Sequence, residues 1–318
     1  MKALRIAAVD LGGTQSKAFL LEADRVLEAR EVPSRAREGG AALLSQGKKL
    51  LEGLWPFDAL GVATAGQVDP VQGVIRYAND NIPGYTGAPV RAYFQEKFPV
   101  PVAVENDVCA AALGEGLRGA AREQSDYMLL TYGTGVGGAV VLENRLYRGA
   151  GASAGVMLGG LITRPERTDP EDPFAGCYER SASASALVRR GLALDASLSS
   201  GRAIFARLEE PGVRALVDAW LDQVAAGLCT LIHAFNVPCL VLGGGVMEQP
   251  YAVEGARRRA LARLIPGFQS PSILGAALGN RAGLWGAAHL ARQALARQSE
   301  RENGGSGIFQ GPMGKNSF

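Results

Sequence analysis

Apolar residues fall along this chain first in short paired runs and then in helical stripes. Leu4 to Val9 and Ala18 to Leu21 are apolar runs set on either side of Asp10-Leu-Gly-Gly-Thr14, with Lys17 just beyond. Tyr127 to Thr131 and Ala139 to Leu142 repeat that arrangement around Gly133-Thr-Gly-Val-Gly-Gly138. Short apolar runs bounded by glycine predict strands, so each glycine segment is expected to join strand to strand. Residues 41–54 have helical spacing, Leu60 to Ala65 reads as a buried strand, and Ile75 to Tyr77 reads as a short one. Pro89 to Phe98 predicts a helix. Val100 to Val104 predicts a strand that runs straight into Glu105-Asn-Asp107 and an alanine-rich helix over 108–121. Further on, helical patterns cover 181–190, 200–208 and 211–235, and Arg164 to Phe174 is a charged, proline-rich loop. Cys239 to Leu242 predicts a strand ending in Gly243-Gly-Gly245, and a last helix runs from Ala282 to Ala296. Strands alternating with helices predict an α/β protein.

At 318 residues the chain exceeds one average domain, and two are expected. A net charge of +2 gives no reason to expect nucleic acid or an anionic membrane as partner. No run reaches the roughly 18 apolar residues of a membrane span, and Asp10 interrupts the N-terminal run before a secretory signal could form. The four cysteines, Cys109, Cys177, Cys229 and Cys239, make no C-x-x-C pair. That argues against a disulfide framework or zinc ribbon and for a reducing, cytoplasmic location. From Gln298 to Phe318 the chain is polar and glycine-rich without periodicity, which predicts a disordered tail.

Glycine lets backbone N–H groups approach an anion closely, and successive N–H groups form an anion-binding nest. Two such loops suggest two related halves gripping one polyphosphate. One glycine loop alone is as readily a tight hairpin. Two loops plus the cluster at Gly243 shift the balance to a nucleotide site. Neither loop matches the P-loop, and neither opens a helix as the dinucleotide fingerprint requires. Asp107 lies between a strand and a helix. There Asn106 or Asp107 could cap the helix, or Asp107 could be a base that takes a hydroxyl proton. Glu105 and Asn106 beside it, at the C-terminal end of a strand, favour the base. Asn81, in Asn79-Asp-Asn-Ile-Pro-Gly84, has the chemistry of a turn. His233 and His289 lie in predicted helices without a metal partner at suitable spacing and read as structural.

Taken together, VDLGGTQSK, ATAGQVDPVQGVI, NDNIPGY, VENDVCAAALGE, LTYGTGVGGAVV, GCYERSASASAL, LVLGGGV and LGNRAGLWGAAHLA resemble the ROK family of sugar kinases and sugar-responsive regulators, over about residues 4–292. The resemblance implies an actin-like ATPase fold, with two RNase H-like α/β domains around a cleft. Residues 1–120 would form the first domain, 121–281 the second, and helix 282–297 would return to the first. It implies that Asp107 is the catalytic base. Gly12, Gly13, Thr14 and Lys17 would lie in the first phosphate loop, Thr134 and Gly135 in the second, and Gly243, Gly244 and Gly245 would carry the adenosine. Gly66, Asn81, Asn106, Asp107 and Glu179 match sugar-contacting positions. ATP and Mg²⁺ are the implied cofactors, with Asp10 placing the metal through water. A small-molecule sugar is the implied partner and a homodimer the implied assembly.

The chain also departs from the family pattern. Many family kinases carry G-E-x-G-H and then C-x-C-G-x-x-G-C-x-E, whose His and three Cys hold a structural zinc. Here Val156 replaces the Glu and Gly159 replaces the His. Only Cys177 survives of the cysteines, with Pro170 and Asp172 in the other two positions. The resemblance therefore implies a zinc-free branch and the loss of two sugar contacts. Gly159 in place of an imidazole is expected to leave space, and with it tolerance of a substituent at C1 or C2 of the sugar. The expected activity is transfer of the ATP γ-phosphate to the 6-hydroxyl of a hexose or N-acetylhexosamine, as in glucokinase or N-acetylmannosamine kinase. The alternatives are a β-glucoside kinase and a catalytically silent sugar-binding regulator. A helix-turn-helix repressor is disfavoured, because Asp10 is reached too early for such a module to precede it.

Overall fold

The computed structural model describes residues 3–150, 157–172 and 174–302. The first part of the chain forms β1 (Arg5–Leu11), β2 (Gln15–Glu22), β3 (Arg25–Pro33), α1 (Gly40–Glu52), β4 (Ala59–Thr64), β5 (Gln67–Asp69), β6 (Val74–Tyr77), α2 (Val90–Lys97), β7 (Val102–Asn106) and α3 (Asp107–Arg118). The second forms β8 (Tyr127–Tyr132), β9 (Val136–Leu142), β10 (Arg145–Leu146), α4 (Tyr178–Ala182), α5 (Ala184–Leu194), α6 (Gly201–Ala206), α7 (Pro211–Phe235), β11 (Cys239–Gly243), α8 (Pro250–Leu261) and β12 (Ser272–Gly275). The last helix is α9 (Ala282–Glu302).

Two five-stranded sheets share one plan. Their orders are β3-β2-β1-β4-β7 and β10-β9-β8-β11-β12. In each, a central strand pairs antiparallel with the hairpin partner that follows it and parallel with a later strand. The repeat of two glycine hairpins in the sequence is thus a repeat of two half-folds. β5 and β6 form a separate two-stranded ribbon.

Side-chain alternation decides which layers cover each sheet. In β1, Ala7, Val9 and Leu11 face a core shared with Leu43 and Leu51 of α1 and Phe94 of α2. Ile6 and Ala8 face the opposite way, onto Leu284, Ala287 and Ala291 of α9. In β8, Met128, Leu130 and Tyr132 pack on Trp220 and Val224 of α7. Tyr127 and Leu129 turn toward Cys109 and Ala112 of α3. α3 and α9 pack on each other, so one helix pair stands between the two sheets.

That helix pair depends on glycine. A Cβ on Gly286 would lie 1.8 Å from the Ala110 carbonyl oxygen, and one on Gly114 would lie 2.1 Å from that of Ala282. Gly61 of β4 meets the same helix, with a Cβ position 1.9 Å from the Ala287 carbonyl oxygen. Backbone cannot give way as a side chain can, so Gly61→Ala is expected to reach or exceed the upper end of the 1–3 kcal/mol typical of overpacking. The thermal midpoint should fall by several degrees. An unchanged midpoint would show that α9 can shift without cost.

Two chain crossings join the sheets, one after α3 and one between β12 and α9. Glu115 of α3 is fully buried and holds both. Its carboxylate accepts the N–H of Ala120 at 2.8 Å on the first crossing, and those of Ala277 at 3.1 Å and Leu278 at 2.8 Å on the second.

The 25-residue α7 keeps the bounds read from its pattern. Pro211 occupies its first turn, and Asn236 ends it in the left-handed conformation at φ 48°. Its polar stripe is used: Asp218 accepts from Arg259 at 2.7 Å and Asp222 from Arg263 at 2.6 Å, both from α8 or just beyond it. Some expectations need correction. Residues 181–190 are not one helix, because Ser183 ends α4 and caps α5. The structureless tail does not begin at Gln298, since α9 continues to Glu302. That stretch lacks apolar periodicity, but good helix formers and local bonds such as Ser299 Oγ to the Leu295 carbonyl carry it. Residues 303–318 lie outside the described part. β3, α8 and β12 have no counterpart in the sequence reading.

Candidate active site

The site gathers where β1, β7 and the two hairpins meet. Asn106 settles the capping question. Its Oδ1 accepts the N–H groups of Val108 at 3.0 Å and Cys109 at 3.1 Å, so Asn106 is the cap of α3. Its amide nitrogen donates to the Gly66 carbonyl at 2.9 Å and to Asp107 Oδ1 at 2.9 Å. Gly66 needs its φ of +99°, which a side chain would strain. Asp107 is thereby left as the first residue of the helix, where the dipole favours an anion. Burial nevertheless pushes its carboxyl above the ordinary range, partly offset by the hydrogen bonds from Val108 and Asn106.

Asp10, at the end of β1, is the second carboxylate, and like Asp107 it is half-buried. Burial first, and the charge of Asp107 second, raise its pKa to about 7, against the pull of Lys17. Its Oδ1 is buried with no hydrogen-bond partner among the described residues. Gly283 of α9 closes the space beside it: a Cβ there would stand 3.3 Å from Asp10 Oδ2 and 3.7 Å from the Asp107 carbonyl oxygen. Lys17 is not in the glycine loop. It stands on β2 directly across from Asp10, with Nζ 3.8 Å from Glu31.

Gly12, Gly13 and Thr14 form the turn between β1 and β2 and are braced from behind. Ser34 Oγ donates to the Gly12 carbonyl at 2.7 Å, and the Ser34 N–H donates to the Thr14 carbonyl at 2.9 Å. Thr134 and Gly135 form the tip of the β8–β9 hairpin. That hairpin leans on the start of α3, since a Cβ on Gly137 would stand 2.6 Å from Val108 Cγ2. Gly243 ends β11, and Gly244 and Gly245 are exposed just after it. Gly244 has φ +96° and presses on β8, where a Cβ would stand 2.3 Å from the Tyr132 carbonyl oxygen. The structure therefore sets all three glycine clusters at strand ends, the first directly after Asp10, the second against the start of α3, and the third against β8.

Glu179, in the first turn of α4, joins this group through the second hairpin: its Oε2 accepts the Val136 N–H at 3.4 Å. Asn81 is not brought in. It sits on an exposed turn where its N–H donates to Asn79 Oδ1 at 3.2 Å. Among the described residues no hydrogen bond joins Asn81 to Asn106, Asp107 or Glu179. His233 is structural, accepting the Ile265 N–H at 3.1 Å.

Two features were not legible in the pattern. Glu105 is fully buried and bound by Arg148 at 2.5 Å, a contact between β7 and the loop after β10. Arg148 Nη1 is buried and has no partner among the described residues. No spacing rule links residues so far apart in sequence. The second feature corrects the expected spare room at Gly159. A Cβ there would stand 2.2 Å from the Val136 carbonyl oxygen and 3.3 Å from Glu179 Oε2. The backbone has closed onto β9, so no side chain would fit at Gly159 without moving it. Val156 lies outside the described residues. The loop that follows is closed by its own chain: Thr163 and Arg164 donate to the Gly176 carbonyl, and Arg180 pairs with Asp172 at 3.1 Å. Cys177 is buried, with its thiol 3.5 Å from the Gly160 carbonyl.

Comparison with known proteins agrees with this architecture. A ROK hexokinase from Thermus thermophilus superposes with a TM-score of 0.78 at 33% identity, covering 92% of this chain and all of the other. A ROK family glucokinase from Streptomyces griseus, solved with glucose and AMPPNP, gives 0.76 at 28% identity, covering 91% and 99%. A β-glucoside kinase from Klebsiella pneumoniae is 29% identical over 257 residues, which is 78% of this chain and 84% of that protein. The family model described as the ROK family matches residues 6–294. The chain belongs to the ROK family.

Proposed function

We propose that this protein is an ATP-dependent carbohydrate kinase that transfers the γ-phosphate to the 6-hydroxyl of a hexose or N-acetylhexosamine. The observation that carries the reading is the pair of half-buried carboxylates, Asp10 and Asp107, set at strand ends beside two glycine hairpins. Its relatives include proteins named glucokinase and β-glucoside kinase. Asp107 has no cation pairing with it among the described residues, and its raised pKa makes it a proton acceptor better matched to neutral pH than an ordinary Asp. It accepts the proton of the attacking hydroxyl. Asn106 orients it and Gly66 holds Asn106, so the base is fixed before substrate arrives.

The residues present fit MgATP. Asp10 Oδ1 is a buried oxygen without a donor, the kind of group a hydrated cation satisfies. Bound Mg²⁺ supplies neutralisation of phosphate charge. Gly12, Gly13, Thr14, Thr134 and Gly135 offer backbone to the phosphates, with Lys17 as a nearby positive charge. Gly243 to Gly245 form the shelf for the nucleoside. Glu179 and Asn106 hold sugar hydroxyls, and Asn81 reaches them from its exposed turn as the cleft closes.

The sugar's C2 side is weakly policed. Val156 cannot accept a hydrogen bond and Gly159 has no side chain, while the closed backbone at Gly159 limits added bulk. A site built to pair a hydroxyl rejects an analogue lacking it by about 10⁴–10⁵, and a site without that group does not. The kcat/KM for 2-deoxyglucose is therefore expected within about tenfold of that for glucose, a difference of about 1.4 kcal/mol. A coupled assay with MgATP and a panel of hexoses, N-acetylmannosamine and cellobiose tests the whole reading, with NMR locating the phosphate on O6. No turnover of any sugar overturns the kinase reading. A thousandfold or greater loss with 2-deoxyglucose overturns the account of C2.

A further inference from the structure

Arg164, Arg167, Gly176 and Cys177 of the chain before α4, together with α4 and α5, line a groove of about 360 Å³ whose walls carry Arg164, Arg167, Arg180, Arg189 and Arg190. It lies behind the short helix that presents Glu179 to the second hairpin. Two of its arginines are neutralised, Arg164 by Glu166 at 2.9 Å and Arg180 by Asp172 at 3.1 Å. The other three form no ion pair among the described residues. Five guanidinium groups thus face two pairing carboxylates, an excess of three in a chain whose net charge is only +2.

Crowding here is real: burial, then Arg164, Arg189 and Arg167, depress the pKa of Arg190. The cations are also held in place. Arg189 Nη2 donates to the Arg180 carbonyl at 3.0 Å, and Arg190 Nη2 to the Ser181 carbonyl at 3.5 Å. Each uses one of five N–H donors on α4 and keeps the rest for another partner. The other arginine-lined cavity shows the contrast. There Arg118 and Arg292 share Asp24 at 2.6 and 3.2 Å, Arg122 pairs with Glu123 at 3.4 Å, and Arg118 lies over Trp285. Like charges held close without counter-charge cost free energy, and an anion that accepts several fork-shaped donors recovers it.

We propose that this groove is a second anion site, separate from the kinase cleft, and that it takes a phosphate dianion, free or carried as a monoester on a small sugar. Among the described residues no aromatic side chain lines it, and these offer no platform for a nucleotide base.

The test is calorimetric titration of the full chain, its cleft kept filled with glucose and AMPPNP, with inorganic phosphate and with glucose 6-phosphate, which as a product of the proposed reaction would otherwise bind there too. One saturable site is expected for at least one of them. Its affinity should fall at least about tenfold in R167Q/R190Q, with the thermal midpoint kept. It should stay unchanged in R122Q/R292Q, the control pair in the neutralised cavity. Tighter binding of glucose 6-phosphate identifies a phosphosugar site, and equal or weaker binding identifies a site for the free ion. Three results overturn the proposal: no saturable binding of either, equal losses in both variant pairs, or binding that R167Q/R190Q leaves intact. The readout is binding, so it stands or falls apart from the kinase assay.

Discussion

Replacing Asp107 with Asn is expected to lower kcat on the best sugar by about 10²–10⁴-fold, the usual contribution of a positioned general base. Asn keeps the shape of the side chain, and its Oδ1 can still accept from Val108 and Asn106, so fold and nucleotide affinity should survive. The pH profile adds a signature. A base must be ionised, so kcat/KM of the natural protein rises with pH through the pKa of the pocket. Burial places that rise above the ordinary carboxylate value of about 3.9. Asp107→Asn should remove or displace this acid limb. A folded variant with near-normal turnover would show that the proton leaves by another route.

Asp10→Asn is expected to have opposite effects on activity and stability. The folded pKa of Asp10 is raised from 3.8 to about 7. A carboxyl raised in this way contributes stability that is complete below its unfolded pKa and is lost as pH rises through its folded one. Between roughly pH 4 and 7 the ligand-free protein therefore loses stability, by at most about 4 kcal/mol at 1.36 kcal/mol per unit. Asn carries no charge to bury. The variant should melt several degrees above the natural protein at pH 8 and close to it near pH 4. On the kinase reading proposed above, turnover should fall at least about a hundredfold, because the anion that would complement Mg²⁺ is gone. MgATP should also raise the variant's midpoint less than that of the natural protein. A midpoint at pH 8 that is unchanged or lower would show that ionised Asp10 costs the fold nothing.

Much of this was legible in the sequence because the signals were local. Glycine between two apolar runs specifies a hairpin, and two such hairpins specify two half-sheets. Pro211 and Asn236 mark α7 within their own neighbourhoods. The order of β7, cap and α3 around Asp107 was legible because the three follow each other without a break. What escaped was set by contacts remote in sequence. β3 is polar and half-exposed at a sheet edge, so alternation barely marks it. The Arg148–Glu105 pair, the approach of Gly283 to Asp10 and the closure of Gly159 onto β9 are tertiary events. None has a periodicity. The resemblance put Lys17 in the first phosphate loop, whereas the register of β1 and β2 puts it on β2 across from Asp10.

Glu115 gives the molecule a pivot. Both peptide segments that pass between the sheets donate to this one carboxylate. Their torsions are therefore not independent, because a rotation that lengthened the bond to Ala120 would also disturb those to Ala277 and Leu278. Swinging one lobe toward the other thus has, near this side chain, a fixed centre and one dominant direction. Motion that keeps the three bonds costs little, and motion that breaks them strands a buried anion, which is far more expensive. An acidic residue remote from any substrate would in this way select which bending of the chain is soft, and so which approach of the two glycine hairpins is available for catalysis.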